Sequence, residues 1–404
     1  MTPLIPVRLT CRFKNDGNGE TRPLKMLCKV SQNILQYMVN MAWKYDVRTR
    51  GQLHRLVYKE LRKLYPNVPA ILIPTLYKKA LGTVKSSKSN NGSKPVIKKP
   101  SAILHKEMYK LDLEKNTIEV LGFKYSIDAG KYAEKFKDGW SSKEVVVRFK
   151  RNSAWFNVVF EKLVELVKPK TVMGIDLNFK NLALTVLDFK GNVLYQEKVP
   201  FKGLTKALTH KVLQEKIKKK FNRSWRFIKN IRKAIRKHGF RQHSRCTAEI
   251  HLATNKIISI AERFQSYLSL ENLKGLRANN ELEEAHLWAY RKQQFVLDYK
   301  ALLKGLKNLP VSAKGTSSKC PVCNRRLRQK TYEELVCSKH GLMDRDLLAS
   351  WNIAKKGLGK LLRCGVFGST LNAPEADANP RSNEGEVKER VATSLTEPIE
   401  VMML

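Results

Sequence analysis

A cluster of cysteine and histidine residues near the C-terminal end constrains this chain more than any other feature of its sequence. Cys320 and Cys323 are separated by two residues, and Cys337 and His340 follow after a gap of thirteen residues. Thiolates and imidazoles are preferred ligands of Zn²⁺, which binds four of them in a tetrahedron. The spacing therefore predicts a zinc knuckle, and the alternative is a relic knuckle that packing holds without metal.

Two aspartates, Asp344 and Asp346, follow this knuckle at once, at the start of a predicted helix. Carboxylates are ligands of harder cations such as Mg²⁺ or Mn²⁺. A soft-metal site directly before a hard-metal carboxylate, in a very basic chain, favours an enzyme that acts on nucleic acid.

The charge of the chain points to the same class of partner. Its 404 residues include 77 Lys and Arg against 36 Asp and Glu, a formal net charge of +41. A compact body with that charge repels itself unless a polyanion neutralises it. We therefore expect an extensive contact with nucleic acid, although composition alone also fits a structural binder of the ribosomal type. The length is sufficient for two or three domains.

Cysteine usage and hydropathy predict the compartment. Three of the seven cysteines belong to the knuckle and the other four are scattered, which is typical of metal binding in a reducing compartment rather than of a disulfide framework. The N-terminus alternates between apolar and polar residues and carries charged residues too early for a signal peptide. With no run of about 18 apolar residues, the sequence predicts no membrane contact. We expect a cytoplasmic, nucleoid-associated protein.

The first part of the chain has the pattern of a β-domain with a helical insertion. Residues 7–13 alternate between apolar and polar, which predicts a half-buried strand. Helical stripes follow from Ser31, the predicted N-cap, and a second helix is predicted to end at Pro66 and a third to cover 71–81. Residues 85–100 are predicted to be a flexible basic loop. Strands are predicted again over 117–123, 145–149 and 155–160.

The second part begins with three predicted strands, over 172–176, 182–187 and 193–198, which tight connections arrange as an antiparallel meander. A long basic helix is predicted over 206–245 and an apolar one over 248–264. A short buried strand over 266–270 and an amphipathic helix over 279–300 come next. From Thr370 onward seven acids stand against three bases, and this tail is predicted to be disordered.

The basic stretch 206–245 contains fifteen Lys or Arg and one acid. Such one-sided charge favours a surface that contacts phosphates over a merely solvated helix face. The aromatic residues within the stretch are expected in the core; they are Phe221, Trp225, Phe227 and Phe240. The candidate nucleic-acid contacts are Lys218, Lys219, Lys220, Arg223 and Arg226.

Three acids stand at the ends of predicted elements. Asp176 and Glu271 each end an apolar strand, and Asp346 begins the helix after the knuckle. A carboxylate at the end of a buried strand is costly unless a partner satisfies it, and a divalent cation is such a partner. Two cations about 4 Å apart, held by these carboxylates, would activate water and stabilise the leaving oxygen of a phosphodiester.

Four segments carry a resemblance to a known family. MGIDLNFKNLALTV, SLENLKGL and DRDLLASWNIA resemble the three motifs of a RuvC nuclease domain, which has an RNase H-type fold. The interposed CPVC and CSKHG resemble the zinc finger of the TnpB family. These proteins are transposon-encoded RNA-guided nucleases related to compact type V CRISPR effectors. The resemblance is specific over 172–354.

The resemblance implies an α/β RNase H-like (RuvC) domain with a zinc-knuckle insertion, preceded by a β-rich wedge domain that carries a helical recognition insert. The implied catalytic acids and magnesium or manganese ligands are Asp176, Glu271 and Asp346, and Asp344 is expected not to be a ligand. The implied domains are a wedge (1–30 and 101–168), a helical insert with its basic loop (31–100), a RuvC-like domain (169–315 and 342–365), a zinc knuckle (316–341) and an acidic tail (366–404).

The implied function is RNA-guided cleavage of double-stranded DNA, with a guide RNA as partner and a short flanking DNA motif read by the protein. A nuclease-inactive or weakly active RNA-guided repressor is the alternative. The acid order Asp, Glu, Asp argues against a D-D-E transposase, and a junction resolvase would need neither the knuckle nor the first 170 residues. The sequence departs from the family pattern at Asn178, Asn324, His340, Leu348 and Ser350.

Overall fold

The computed structural model describes residues 4–17, 20–150, 153–273 and 289–363, and these form two compact units. The first unit comprises residues 8–163, and the second comprises residues 164–363 together with residues 4–7. The predicted acidic tail, 366–404, lies outside the described residues. Within the described ranges, no helix is long and apolar enough to cross a membrane.

The first unit is built on a seven-stranded sheet with the order β2-β6-β7-β1-β5-β4-β3, of which only the start of β1 and the end of β7 are assigned to the second unit. The predicted alternation in the first strand is confirmed, because the side chains of Val7, Leu9, Cys11 and Phe13 are all buried. The strands are β1 (Leu4–Asn15), β2 (Ser101–Leu104), β3 (Tyr109–Asp112), β4 (Thr117–Val120), β5 (Phe123–Asp128), β6 (Ser141–Lys150) and β7 (Ser153–Glu165).

Three helices lie between β1 and β2 in the chain: α1 (Arg22–Lys44), α2 (Arg50–Leu64) and α3 (Leu72–Ser89). The prediction of Ser31 as an N-cap is wrong, because Ser31 is a fully buried residue inside α1. The helix begins at Arg22 with a proline in its first turn, where the missing amide hydrogen costs nothing.

The predicted loop over 85–100 starts later than expected, because only residues 90–100 lie outside helices and strands. Helix α3 continues to Ser89, and the segment that follows is anchored on α1 by two glutamine side chains. Gln32 donates a hydrogen bond to the carbonyl of Ile97, and the backbone amide of Ile97 donates one to Gln36 at 2.7 Å. These side chains satisfy the backbone of a segment whose sequence has no apolar period.

The second unit contains a five-stranded sheet with the order β10-β9-β8-β11-β12. The predicted meander is confirmed, since β8, β9 and β10 pair antiparallel, whereas β11 pairs parallel to both β8 and β12. The strands are β8 (Thr171–Leu177), β9 (Asn181–Leu187), β10 (Val193–Pro200), β11 (Ser266–Glu271) and β12 (Asn308–Val311).

Four α-helices are described in this unit: α4 (Gly203–Lys220), α5 (Lys229–Arg263), α6 (Tyr290–Leu303) and α7 (Arg345–Arg363). The predicted basic helix over 206–245 is therefore two helices, separated by a 3₁₀ turn at Asn222–Arg226. Asn222 has a φ of 42°, which a continuous α-helix does not allow. The predicted helix over 279–300 is described only from Tyr290, and its first part lies outside the described residues.

Helix α7 packs unusually close to the sheet because two glycines remove the side chains between them. A Cβ at Gly174 of β8 would overlap the backbone of Ser350 and Ala354. A Cβ at Gly357 of α7 would lie 2.6 Å from that of Ser269 in β11. The apolar residues Val172, Tyr267, Leu309, Leu358 and Leu361 form the core at this contact.

The knuckle is a small three-stranded sheet in the order β13 (Arg328–Gln329), β14 (Glu334–Cys337) and β15 (Gly341–Asp344). Its last strand ends at Asp344 and α7 begins at the next residue, Arg345. The knuckle and the first turn of α7 are therefore joined without a linker.

Candidate active site and metal knuckle

The sheet register brings two of the predicted acids to one edge. Asp176 lies near the end of β8 and Glu271 ends β11. These strands are parallel neighbours in which Leu270 pairs with Ile175, so the residues that follow leave the sheet side by side. Asp346 comes from the first turn of α7. All three acids line one cleft of about 320 Å³.

Each carboxylate in this cleft has a neutral hydrogen-bond donor. Asn178 donates to Asp176 at 2.8 Å, and Thr316 donates from its hydroxyl to Glu271 at 2.5 Å. Asn181 donates to Asp346 at 2.9 Å. Sequence reasoning missed Asn181 and Thr316 as site residues.

Lys198 of β10 is a further site residue that the sequence did not predict. Its ammonium lies 3.6 Å from the carboxylate of Asp346 and donates a hydrogen bond to Asp344. The other oxygen of Asp344 accepts from the backbone amides of Asp346 and Leu347, both at 3.0 Å. Asp344 thus caps the N-terminus of α7, and its two oxygens are already engaged by backbone amides and by Lys198.

Burial is the main influence on the pKa values of two of the cleft acids. Burial raises the pKa of Asp176 to about 7, with the negative charges of Glu271 and Asp346 adding to the effect. Burial also raises the pKa of Glu271, although the hydrogen bond from Thr316 opposes the change. Raised carboxylate pKa values in a cleft are typical of sites where a cation or substrate completes the charge balance.

The donor set of the cleft fits a hard divalent cation. Its side chains offer carboxylate oxygens, which suit Mg²⁺ or Mn²⁺ better than softer metals. The side-chain oxygen of Asn181 is buried and has no hydrogen-bond partner within the described part of the chain. Such an orphaned acceptor on the residue that binds Asp346 is one that a hydrated cation would satisfy.

The four predicted zinc ligands converge in the knuckle. Their ligand atoms all lie within 4.8 Å of one another. Cys323 and Cys337 have their sulfurs 3.5 Å apart, and Nδ1 of His340 lies 3.5 Å from the sulfur of Cys320 and 3.6 Å from that of Cys337. Zinc–sulfur bonds of about 2.3 Å place tetrahedral ligands roughly 3.4–3.8 Å apart, so the cluster could hold a zinc ion.

Thiolate formation is favoured at one corner of this cluster. The backbone amide of Lys339 is the main cause that lowers the pKa of Cys337 to about 6, and a hydrogen bond with His340 contributes. The thiolate is the form that ligates a metal. The geometry and the charge state at this corner therefore both suit a zinc ligand.

Two departures from the family pattern have a structural reason. Leu348 of α7 is buried against the knuckle, in a cluster with Cys320, Leu327, Leu335 and Cys337. Asn324 has a φ of 59°, a left-handed conformation that glycine or asparagine adopts most easily. Both substitutions are therefore compatible with the local fold.

The five predicted nucleic-acid contacts lie at the end of α4 and in the 3₁₀ turn that follows it. Arg223 and Arg226 are exposed, as are Lys219 and Lys220, whereas Lys218 is half-buried. The expectation that the aromatics of this stretch belong to the core is wrong: Phe221 and Trp225 are only half-buried, and Phe227 and Phe240 are 81% and 58% exposed.

The fold and the site define a mixed α/β protein in which a carboxylate cleft adjoins a zinc-ligand knuckle. Residues 290–353, which include the knuckle, match the model of the Cas12f1-like TNB domain. TnpB-like protein MJ0751 of Methanocaldococcus jannaschii is 27% identical over 237 residues, 56% of this chain and 82% of that protein. The CRISPR-associated endodeoxyribonuclease Cas12f2 of a Micrarchaeota archaeon is 26% identical over 207 residues, 46% of this chain and 37% of that protein.

Solved structures share the fold over most of the chain. The Cas12f1–sgRNA–target DNA complex contains a chain that superposes with a TM-score of 0.56 at 15% identity, covering 82% of this chain and 83% of that one. The mini-RNA-guided endonuclease CRISPR-Cas_phi3 superposes with a TM-score of 0.52 at 10% identity, covering 92% and 94%. The sequence matches support a member of the family of TnpB proteins and compact type V effectors, and the fold agrees with them.

Proposed function

We propose that this protein is an RNA-guided DNA endonuclease that cuts target DNA next to a short flanking motif. The observation that carries the proposal is the convergence of Asp176, Glu271 and Asp346 on one cleft. The raised pKa of Asp176 supports it, because a structural ion pair would lower that pKa instead.

The order and direction of the strands support a RuvC, RNase H-like interpretation of the second unit. An antiparallel meander is followed by a parallel strand and a helix on the sheet, and the three acids come from β8, β11 and α7. The first unit is then the wedge, with α1, α2 and α3 as its recognition insert. A guide RNA and a target DNA are the proposed partners, which agrees with the net charge of +41.

The three acids would hold Mg²⁺ or Mn²⁺, which when bound activates water and stabilises the leaving oxygen of a phosphodiester. The chain's own residues set up this chemistry. Asn181 and Thr316 fix the orientation of Asp346 and Glu271. Lys198, close to Asp346 and exposed in part, offers a positive charge to a phosphate at the cleft.

The test is cleavage by the purified protein with its copurified RNA. The RNA is sequenced, and a DNA containing the complement of its guide segment is supplied with Mg²⁺. We expect Asp176→Asn and Asp346→Asn each to abolish cleavage while binding of RNA and target is kept.

Asp344→Asn is the matched control, because asparagine also caps helices well and Asp344 is proposed not to bind the metal. It should keep substantial cleavage. Full cleavage by Asp176→Asn would remove that residue from the site. Guided binding without any cleavage by the wild type would support the repressor alternative.

A further inference from the structure

A second, larger pocket lies in the first unit, far in sequence from the carboxylate cleft. Its volume is about 670 Å³ and its lining includes six cations and two aromatic residues. Of the described residues that line it, none is acidic. The cations are Arg12, Lys79, Lys98, Lys99, Arg148 and Lys150, and the aromatics are Phe149 and Trp155.

One wall of this basic pocket is the outer face of three neighbouring strands, β6, β7 and β1. Trp155 of β7 lies directly opposite Arg148 of β6 across the strand pair. Two residues further along β7, Asn157 accepts a hydrogen bond from Arg12 of β1 at 3.1 Å. Side chains two residues apart on a strand share a face, so the ring of Trp155 lies between two guanidinium-bearing positions.

The opposite wall is the segment that Gln32 and Gln36 anchor on α1. The side chain of Gln36 also donates to the carbonyl of Pro95 at 3.2 Å, next to the pocket residues 96–100. Lys79 of α3 donates to the hydroxyl of Ser101 at 2.8 Å and closes one end. The pocket is therefore held by hydrogen bonds from both sides and is built rather than incidental.

The chemistry of the lining defines its ligand. Six cations in a lining that contains no acid favour an anionic ligand, and a flexible Lys and Arg set suits phosphate. The half-buried ring of Trp155 offers a face to another planar group, as stacking platforms do for nucleobases. A base that is stacked and paired inside a duplex has no free face for a ring at the wall of a pocket, so the lining favours an unpaired nucleotide.

We propose that this basic pocket binds one unpaired nucleotide of the guide RNA, with its base stacked on Trp155 and its flanking phosphates contacted by Arg148 and Lys98. The assignment of the RNA as a guide rests on the proposed function. RNA is the proposed source because folded RNAs present splayed-out bases in loops and bulges at all times, whereas a DNA strand becomes unpaired only after the target duplex has been opened.

The test uses the cleavage-deficient Asp176→Asn protein with its copurified RNA, so that nuclease activity does not enter the result. Irradiation at ultraviolet wavelengths should crosslink RNA to the peptide that contains Trp155. Trp155→Ala should lose this crosslink and weaken RNA binding about tenfold, while Trp155→Phe, which keeps a stacking ring, should bind nearly as the parent does.

Arg148→Gln should reduce the magnitude of the log–log salt slope of RNA binding by about 0.7. Tyr45→Ala, an exposed aromatic of the same unit outside the pocket, is the control and should change neither quantity. Unfolding curves for each variant separate lost binding from lost folding, and the Phe variant keeps the test valid if the Ala variant misfolds.

Normal RNA binding by folded Trp155→Ala would overturn this assignment and leave the proposed function standing. A crosslink from Trp155 to target DNA alone would also overturn it. Failure to copurify any defined RNA would overturn the proposed function itself, and the assignment with it.

Discussion

The side-chain amide of Asn181 donates a hydrogen bond to the carboxylate of Asp346 although the two residues are 165 positions apart in the chain. Asn181 begins β9 and Asp346 lies in the first turn of α7, so this bond ties the helix end to the sheet edge. The position of Asp346 therefore depends on a residue outside its own element.

Removing this amide should loosen the proposed metal site without removing a ligand. We predict that Asn181→Ala raises the Mg²⁺ concentration for half-maximal cleavage by about 10–100-fold, because outer partners orient the ligating groups. A titration of cleavage rate against Mg²⁺ measures this. Asn192→Ala, in the turn before β10, should behave as wild type, and an unchanged Mg²⁺ dependence in Asn181→Ala would exclude the orienting role.

Asp176 should destabilise the protein whenever magnesium is absent. Because its folded pKa is raised from 3.8 to about 7, the folded state holds a proton that the unfolded state releases, and stability is lost as pH rises through this range. We predict that Asp176→Asn stabilises the magnesium-free protein by on the order of 2 kcal/mol at pH 8 and by little near pH 4.

Denaturant unfolding at several pH values checks this prediction. The advantage of the variant should grow between pH 4 and pH 7 and then level off, and added Mg²⁺ should stabilise the wild type more than the variant. Equal stability of the two proteins at pH 8 would contradict the assignment of a buried, uncompensated charge.

Zinc removal should act on the cleft through α7. We predict that Cys337→Ser releases about one zinc ion per chain and lowers cleavage strongly, since β15 leads into the helix that carries Asp346 without a linker. Metal analysis and cleavage assays measure the two effects. Cys246→Ser, a free cysteine outside the knuckle, should retain both zinc and activity. Metal analysis that finds no zinc in the wild-type protein would contradict the prediction that the knuckle binds zinc.

The close approach of α7 to the sheet gives a prediction about stability. Gly174→Ala should destabilise the second unit by about 3 kcal/mol or more, because the added methyl group meets backbone that cannot move without shifting α7. Gly359→Ala on the same helix has open space around it and should stabilise by about 0.5–1 kcal/mol. Thermal unfolding of both variants measures the two effects. A Gly174→Ala protein as stable as the wild type would contradict the close contact between β8 and α7.

The basic surface at the end of α4 should contribute to nucleic-acid affinity without sequence preference. We predict that reversing Lys218, Lys219 and Lys220 to Glu weakens binding uniformly and flattens its salt dependence by about one unit per lost phosphate contact. Binding of guide RNA and of target DNA is measured across a salt series. An unchanged slope for both ligands would mean that these lysines only keep the protein soluble.

The acids and the knuckle could be predicted from the sequence because their signals are local. Apolar runs that end in Asp176 and Glu271 mark strand ends, and the Cys and His spacing marks the knuckle. The partners of the acids could not be predicted, because Asn181, Lys198 and Thr316 reach them through the register of the sheet and the path of the chain. Those contacts have no short-range pattern.

The sequence-based predictions of secondary structure and burial are wrong where a single side-chain contact or backbone angle has more influence than local composition. The polar segment after α3 is held by Gln32 and Gln36, which a period analysis cannot detect. A single positive φ at Asn222 divides a stretch that otherwise has helical composition. Phe227 and Phe240 are exposed in the basic stretch, so an aromatic residue there does not by itself indicate a core position.

The hairpin of α4 and α5 leaves the sheet after β10 and returns to it at β11, while none of the three cleft acids lies on it. Both of its ends are anchored in the same sheet, and each doubling of a connection costs only about 0.6 kcal/mol of closure entropy. Insertion or deletion at the outer end of this arm, near the 3₁₀ turn at Asn222–Arg226, can therefore adapt it to a larger or smaller polyanion while the three cleft acids keep their positions.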